Sequence, residues 1–198
     1  MLRWTETEPR LTVYPSFVLF VCILLWLEQG HFALIFLCSA ALHECAHLLA
    51  LRLTGVAVYG MELRASGAVL HTGSASYGKE AVCTAAGPFA NLLLLAVCFH
   101  RFPAAAPVNL LLLCYNLLPI YPLDGGRLLR ILLCVLFGAQ RGERLSERIT
   151  VILTGLIAVC GIAATCVLHM GLYPCLIAAF FLCRIANTPC KMRKIRLK

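Results

Sequence analysis

Six apolar stretches succeed one another along this chain, at Leu11–Leu27, Phe32–Leu53, Val82–Phe99, Pro107–Pro119, Ile149–Leu168 and Gly171–Ile185. A lipid bilayer admits only backbones that satisfy their own polar groups, which means helices or closed barrels. The long stretches approach the roughly 20 apolar residues a helix needs to cross about 30 Å of hydrocarbon. Charged residues make up 13% of the 198, against about 25% in soluble domains. The expected fold is an all-α polytopic membrane protein of about six transmembrane helices, one domain over residues 1–198. Its first stretch ends in Trp26-Leu27-Glu28-Gln29 without a small-residue cleavage site, so it reads as a retained helix and not a signal peptide.

Two places break the pattern. The fourth stretch is short and runs into Pro119 and Pro122, which lack backbone donors and stop a helix. Leu128–Phe137 then reads as a short buried or interfacial helix. Broken backbone at membrane depth survives only where protein or a water-filled cavity satisfies it. Between the second and third stretches, Val56–Leu70 has β-branched residues in partial alternation around Ser66-Gly67, the pattern of a β-hairpin.

With six spans, both termini share one side of the membrane. Sixteen of the 17 lysines and arginines fall on that side, leaving Arg101 opposite. The positive-inside rule makes that side the cytoplasm of a bacterial cell. The net charge of +8 is thus matched to a lipid bilayer, with no nucleic-acid partner expected. The basic tail at residues 191–198 reads as an anchor on anionic headgroups. Eleven of the 12 cysteines lie in apolar stretches and read as reduced packing residues.

The second stretch carries His43-Glu44-Cys45-Ala46-His47. Histidines four apart share one helix face and can ligate one zinc ion, and the intervening Glu44 is placed to act as a general base. Polar groups inside a span are expensive and usually functional, although a plain helix–helix contact is the competing explanation. A catalytic zinc site takes three protein ligands and keeps a position open. Asp124, the only aspartate, lies at the broken fourth span in Asn116-Leu117-Leu118-Pro119-Ile120-Tyr121-Pro122-Leu123-Asp124-Gly125-Gly126-Arg127. Glu62 and Glu80 are rival third ligands, and Arg127 or Arg130 could instead pair with Asp124 structurally. Gly125 and Gly126 favour Asp124 by letting backbone approach the metal. Asn116 could bond substrate backbone or an oxyanion, or simply pack. The segment Ala86-Gly87-Pro88-Phe89-Ala90-Asn91 is equally consistent with helix packing. His31, His100 and His169 fall at the outer ends of spans and read as interfacial.

Taken in order, HExxH, AGPxxN and NxxPxxPLDGGR resemble the site-2 protease family of intramembrane zinc metalloproteases. The compact layout is most similar to its sporulation-type members. That resemblance implies zinc held by His43, His47 and Asp124, with Glu44 as catalytic base. Asn91 and Asn116 match polar residues of the family near the active site, where they would serve substrate or oxyanion. The implied substrate is a membrane-tethered protein, such as a sigma-factor precursor in sporulation, with membrane-embedded regulatory partners. Sporulation-type relatives commonly add a C-terminal CBS domain, which this sequence lacks, so nucleotide-linked control through it is not expected. A metal-binding transporter, or a non-catalytic membrane scaffold, is the alternative function.

Overall fold

The structure, a computed structural model, describes residues 10–27, 31–65 and 67–166. The expected sixth span at Gly171–Ile185, the 191–198 tail, His169 and the last three cysteines lie outside them. The chain divides between Leu117 and Leu118 into two compact units.

The first unit holds strand β1 (Arg10–Val13), helices α1 (Pro15–Leu27) and α2 (Phe32–Thr54), strands β2 (Val58–Arg64) and β3 (Gly67–Thr72), and helices α3 (Tyr77–Arg101) and α4 (Ala105–Asn116). The second holds α5 (Asp124–Phe137) and α6 (Ala139–Cys166). Among the described residues, three helices are long and apolar enough to cross a membrane: α2 with 23 residues, α3 with 25 and α6 with 28. Helices α1 and α4 are apolar but shorter. The chain is thus a mostly helical membrane protein with a small sheet.

Burial runs opposite to that of a water-soluble protein. Leu34, Leu42, Leu49, Phe89, Leu93 and Val97 point outward, whereas Ser39, His43, His47, Thr84, Asn91 and Asn109 are buried. Apolar chains meet lipid, and small or polar residues line the helix contacts, as expected where lipid removes any hydrophobic drive between helices. On α3 the buried residues Cys83, Thr84, Gly87, Pro88 and Asn91 follow helical spacing and form one face. That face packs against α2. Asn109 of α4 donates to the Ser39 hydroxyl of α2 at 3.1 Å, tying a third helix to the pair.

Helix α2 ends in Gly55, left-handed at φ 70°, whose N–H reaches the Arg52 carbonyl. Val56 N–H closes on the Leu51 carbonyl at 3.0 Å, completing the cap that left-handed glycines make at helix ends. The chain turns there into the hairpin. Ala50, Leu51, Val56 and Cys83 form a small core where α2, the hairpin and α3 meet.

The hairpin is present, but the sequence reading of its surroundings needs one correction. Residues 11–13 are not the start of a helix. Arg10–Val13 is a strand, paired in parallel with β2 from Arg10↔Gly60 to Val13↔Leu63. Pro15 starts α1, where fixed φ and a missing donor suit the first helical position. Gly60 admits this third strand, because a Cβ there would lie 3.1 Å from the Arg10 carbonyl oxygen. Sheet order is β1-β2-β3.

Glu62 lies on β2 and is occupied within the hairpin. Its carboxylate accepts from Arg64 at 2.7 Å and contacts His71 Nε2 at 3.0 Å. The hydrogen-bonded Arg64 guanidinium, and then His71, hold its carboxyl below the usual carboxylate range. A depressed carboxyl contributes stability above its unfolded pKa and loses it as pH falls through the folded one. Amide exchange protection across β2–β3, corrected for intrinsic rates, should therefore fall in acid below the ordinary carboxylate range. Glu62→Gln should remove that dependence, and an unchanged acid response in the variant would rule out Glu62 as its source.

In the second unit, the predicted break and short helix are both present. The break runs from Leu117 to Leu123, and α5 begins four residues earlier than read from sequence, at Asp124. A Cβ on Gly126 would strike Ile120 and Tyr121 backbone, so this glycine makes room for the chain's own loop. Tyr121 N–H donates to the Thr150 hydroxyl of α6 at 3.1 Å. Helix α6 begins ten residues before the predicted fifth span. Its buried Gly142, Ser146, Thr150 and Thr154, each four apart, form the contact face.

Candidate metal centre

The metal-binding pair begins with helical spacing. His43 and His47, one turn apart on α2, are 5% and 7% exposed. Their rings meet edge to face, with centroids 4.7 Å apart and planes at 85°. Both Nε2 atoms turn toward each other and stand 3.1 Å apart.

Groups on α3 orient both rings from behind. His47 Nδ1 lies 2.7 Å from the Cys83 carbonyl oxygen. A carbonyl only accepts, so Nδ1 carries the hydrogen and the neutral ring's Nε2 presents a lone pair. At His43, Nδ1 lies 3.0 Å from Asn91 Nδ2. Asn91 is wholly buried, and its Oδ1 has no hydrogen-bond partner among the described residues. In this arrangement the Asn91 amide donates to His43 Nδ1.

Gly87 supplies the remaining space. A Cβ there would lie 2.6 Å from both Cε1 and Nε2 of His43 and would collide with His47 Nε2. The missing side chain therefore opens room at the two nitrogens that face each other. These residues fit a zinc ion. Two Nε2 atoms converge, one ring is fixed in the metal-binding tautomer by a backbone acceptor, and a glycine leaves the approach open.

Glu44, half-buried, follows His43 on α2, and Cys45 faces outward. Asn116 is the last residue of α4 and is half-buried. Asp124, at 7% exposure, opens α5 in the second unit. A carboxylate in the first turn suits the positive end of the helix dipole. Of the rival carboxylates, Glu62 is held by Arg64 and His71 on the hairpin, and Glu80 lies in the first turn of α3. The structure thus gathers His43, His47 and Asn91, and adds Gly87 and the Cys83 carbonyl. Sequence reasoning gave these last two no role at the metal. The AGPxxN segment was the only hint of Gly87, and a backbone carbonyl leaves no trace in residue identity.

Comparison with known proteins agrees with this chemistry. Residues 98–163 match the sequence profile of peptidase family M50. That segment contains the NxxPxxPLDGGR motif. Two curated relatives, each named putative zinc metalloprotease Rip3, come from the Erdman and H37Rv strains of Mycobacterium tuberculosis. Each is 34% identical over 149 residues, covering 66% of this chain. The chain spans 38% of the length of these relatives. Among solved structures, the site-2 protease from Methanocaldococcus jannaschii superposes with a TM-score of 0.65 at 22% identity. That match covers 90% of this chain and 89% of the other. By these comparisons the chain is similar over residues 98–163 to peptidase family M50, resembles the two relatives named as putative zinc metalloproteases, and shares its fold with a site-2 protease.

Proposed function

We propose that this chain is an intramembrane zinc endopeptidase acting on a membrane-tethered protein. The observation that carries this reading is the pair of converging histidine Nε2 atoms within a membrane-length helix. Two imidazoles and one carboxylate, from His43, His47 and Asp124, would make a catalytic donor set that leaves one position open. When bound, the zinc ion supplies Lewis-acid polarisation of the scissile carbonyl and of the attacking water. Glu44 would accept a proton from the attacking water, as the carboxylate between paired histidines is placed to do. Asn116 offers an amide donor to substrate backbone or to the developing oxyanion.

A helical substrate hides its carbonyls in its own hydrogen bonds, so cleavage requires a locally unwound segment. Strand β3 pairs with β2 on one side only among the described residues, and its other edge offers backbone groups for strand addition. The basic asymmetry supports a multi-pass arrangement in the bacterial membrane with both termini cytoplasmic. A tethered sigma-factor precursor, released toward the cytoplasm, is the substrate class that the sporulation-type resemblance supports.

Metal analysis of the purified chain tests the ligand set. Asp124→Ala and His43→Ala should lose zinc, whereas Glu62→Gln and Glu80→Gln should keep it. Full zinc occupancy in Asp124→Ala, with loss in either glutamine variant, would overturn the assignment. Cleavage of a co-expressed tethered precursor, dependent on the same residues, tests the activity.

A further inference from the structure

We infer that the first turns of α6, with the outward face of α5, bind an anionic phospholipid in the leaflet that borders the α5–α6 turn. The inference uses the second unit alone and depends on neither metal nor peptide cleavage. Helices α5 and α6 meet through one residue, Gly138, whose φ of 82° suits glycine. Gly142 N–H bonds the Gly138 carbonyl at 2.9 Å. A Cβ on Gly142 would strike the backbone of Leu133 and Cys134, so the start of α6 is held tight against α5.

Helical spacing then sorts the charges of α6. Arg141, Arg144 and Arg148, three and four residues apart, form one stripe opposite the contact face of Gly142, Ser146, Thr150 and Thr154. All three arginines are exposed, and none makes an ion pair among the described residues. Glu143 and Glu147 fall on the flank beside the contact face, and Glu143 turns to Arg130 of α5 at 3.8 Å. The acids of this segment therefore leave the stripe positive.

One turn beyond Arg148 the same face becomes apolar, with Val151 and Ile152 exposed. Residues 149–166 rise about 27 Å as a helix, close to the roughly 30 Å of bilayer hydrocarbon. Arg148 thus stands where hydrocarbon gives way to headgroups. Beside it, α5 turns Leu132, Val135 and Leu136 outward at helical spacing, as a helix lying in the interface does. Cations directly next to exposed apolar surface match a molecule whose phosphate is joined to acyl chains. Guanidinium groups present paired N–H donors to phosphate oxygens, and Val151 and Ile152 meet the chains. Phosphatidylcholine carries its own cation, so the preference is for a headgroup of net negative charge. A soluble acidic polypeptide would match the arginines but not the apolar surface beside them.

The experiment uses the full chain purified in detergent and titrated with phosphatidylglycerol or phosphatidylcholine, with bound lipid counted by native mass spectrometry. Native protein should bind phosphatidylglycerol at least about tenfold more tightly than phosphatidylcholine, as three basic residues at an anionic surface allow. Arg148→Gln should lower that preference about fivefold. Replacing Arg141, Arg144 and Arg148 together by glutamine should abolish it, whereas replacing all three by lysine keeps the charge and should retain most of it. Arg52→Gln, exposed in the last turn of α2, should leave it unchanged. Glycerol phosphate, which lacks the chains, should not displace bound lipid at millimolar concentration. Equal binding of the two lipids overturns the proposal, as does a native preference in the triple glutamine variant. An effect of Arg52→Gln as large as that of Arg148→Gln would show unlocalised charge and overturn the site. Displacement by glycerol phosphate would reduce it to a simple anion site, and polyglutamate that phosphatidylglycerol cannot displace would assign the stripe to a protein partner instead.

Discussion

Glu44→Gln should lower peptide-bond cleavage by about 10²–10⁴-fold, the range a positioned general base contributes, while zinc content stays at the native level. Glutamine keeps the length and shape of the side chain but cannot take a proton from water. His43 and His47 hold their places on α2 through contacts to α3 that do not involve residue 44. Affinity for metal and catalysis should therefore separate. Cleavage of a tethered precursor and metal analysis on the same preparation make the measurement. Native-like turnover would remove Glu44 as the base, and loss of zinc would show that it supports the ligands.

Gly87→Ala should weaken zinc by at least about 10²-fold and abolish cleavage with it. The added methyl would sit 2.6 Å from two atoms of the His43 ring and on top of His47 Nε2, closer than atoms can approach. Either the rings swing away or α3 retreats, and both spoil a site whose ligands stand one helical turn apart. Overpacking of this kind typically costs about 1–3 kcal/mol. Alanine recovers part of that, because it favours a helix interior over glycine by about 0.5–1 kcal/mol. The variant should accordingly fold, with helix content near native, yet fail to load metal. Zinc affinity within a few-fold of native would show that the space beside the rings is not needed.

The sequence made the residues with distinctive chemistry legible. HExxH in an apolar stretch announced His43 and His47, and the prolines at 119 and 122 announced the break before α5. Local signals also located the hairpin, since alternation and a turn dipeptide are properties of neighbouring residues. What escaped depended on partners distant in sequence. Arg10–Val13 pairs closely beside Gly60 of β2, where a side chain would crowd the Arg10 carbonyl, and its apolar residues run straight into α1. Pro15 was the available sign that the helix starts later. The first turns of α6 carry Arg141, Glu143, Arg144, Glu147 and Arg148, so hydropathy alone placed the start of that helix too late. Gly87 resembled an ordinary packing glycine because nothing in a single chain reveals which side chains cross opposite it. For Asn91 the sequence pointed to a place near the active site but not to the contact its amide makes with His43.

The bond from His47 to the Cys83 carbonyl has a consequence for how such a site can be altered. Main-chain oxygen is present whatever side chain occupies position 83, so no single substitution there can delete it. The Asn91 amide behind His43, by contrast, is encoded by one codon. Variation, whether natural or designed, thus has an adjustable handle behind one ring of the pair. Changes at residue 91 would retune metal preference through one imidazole, while the other remains a constant reference.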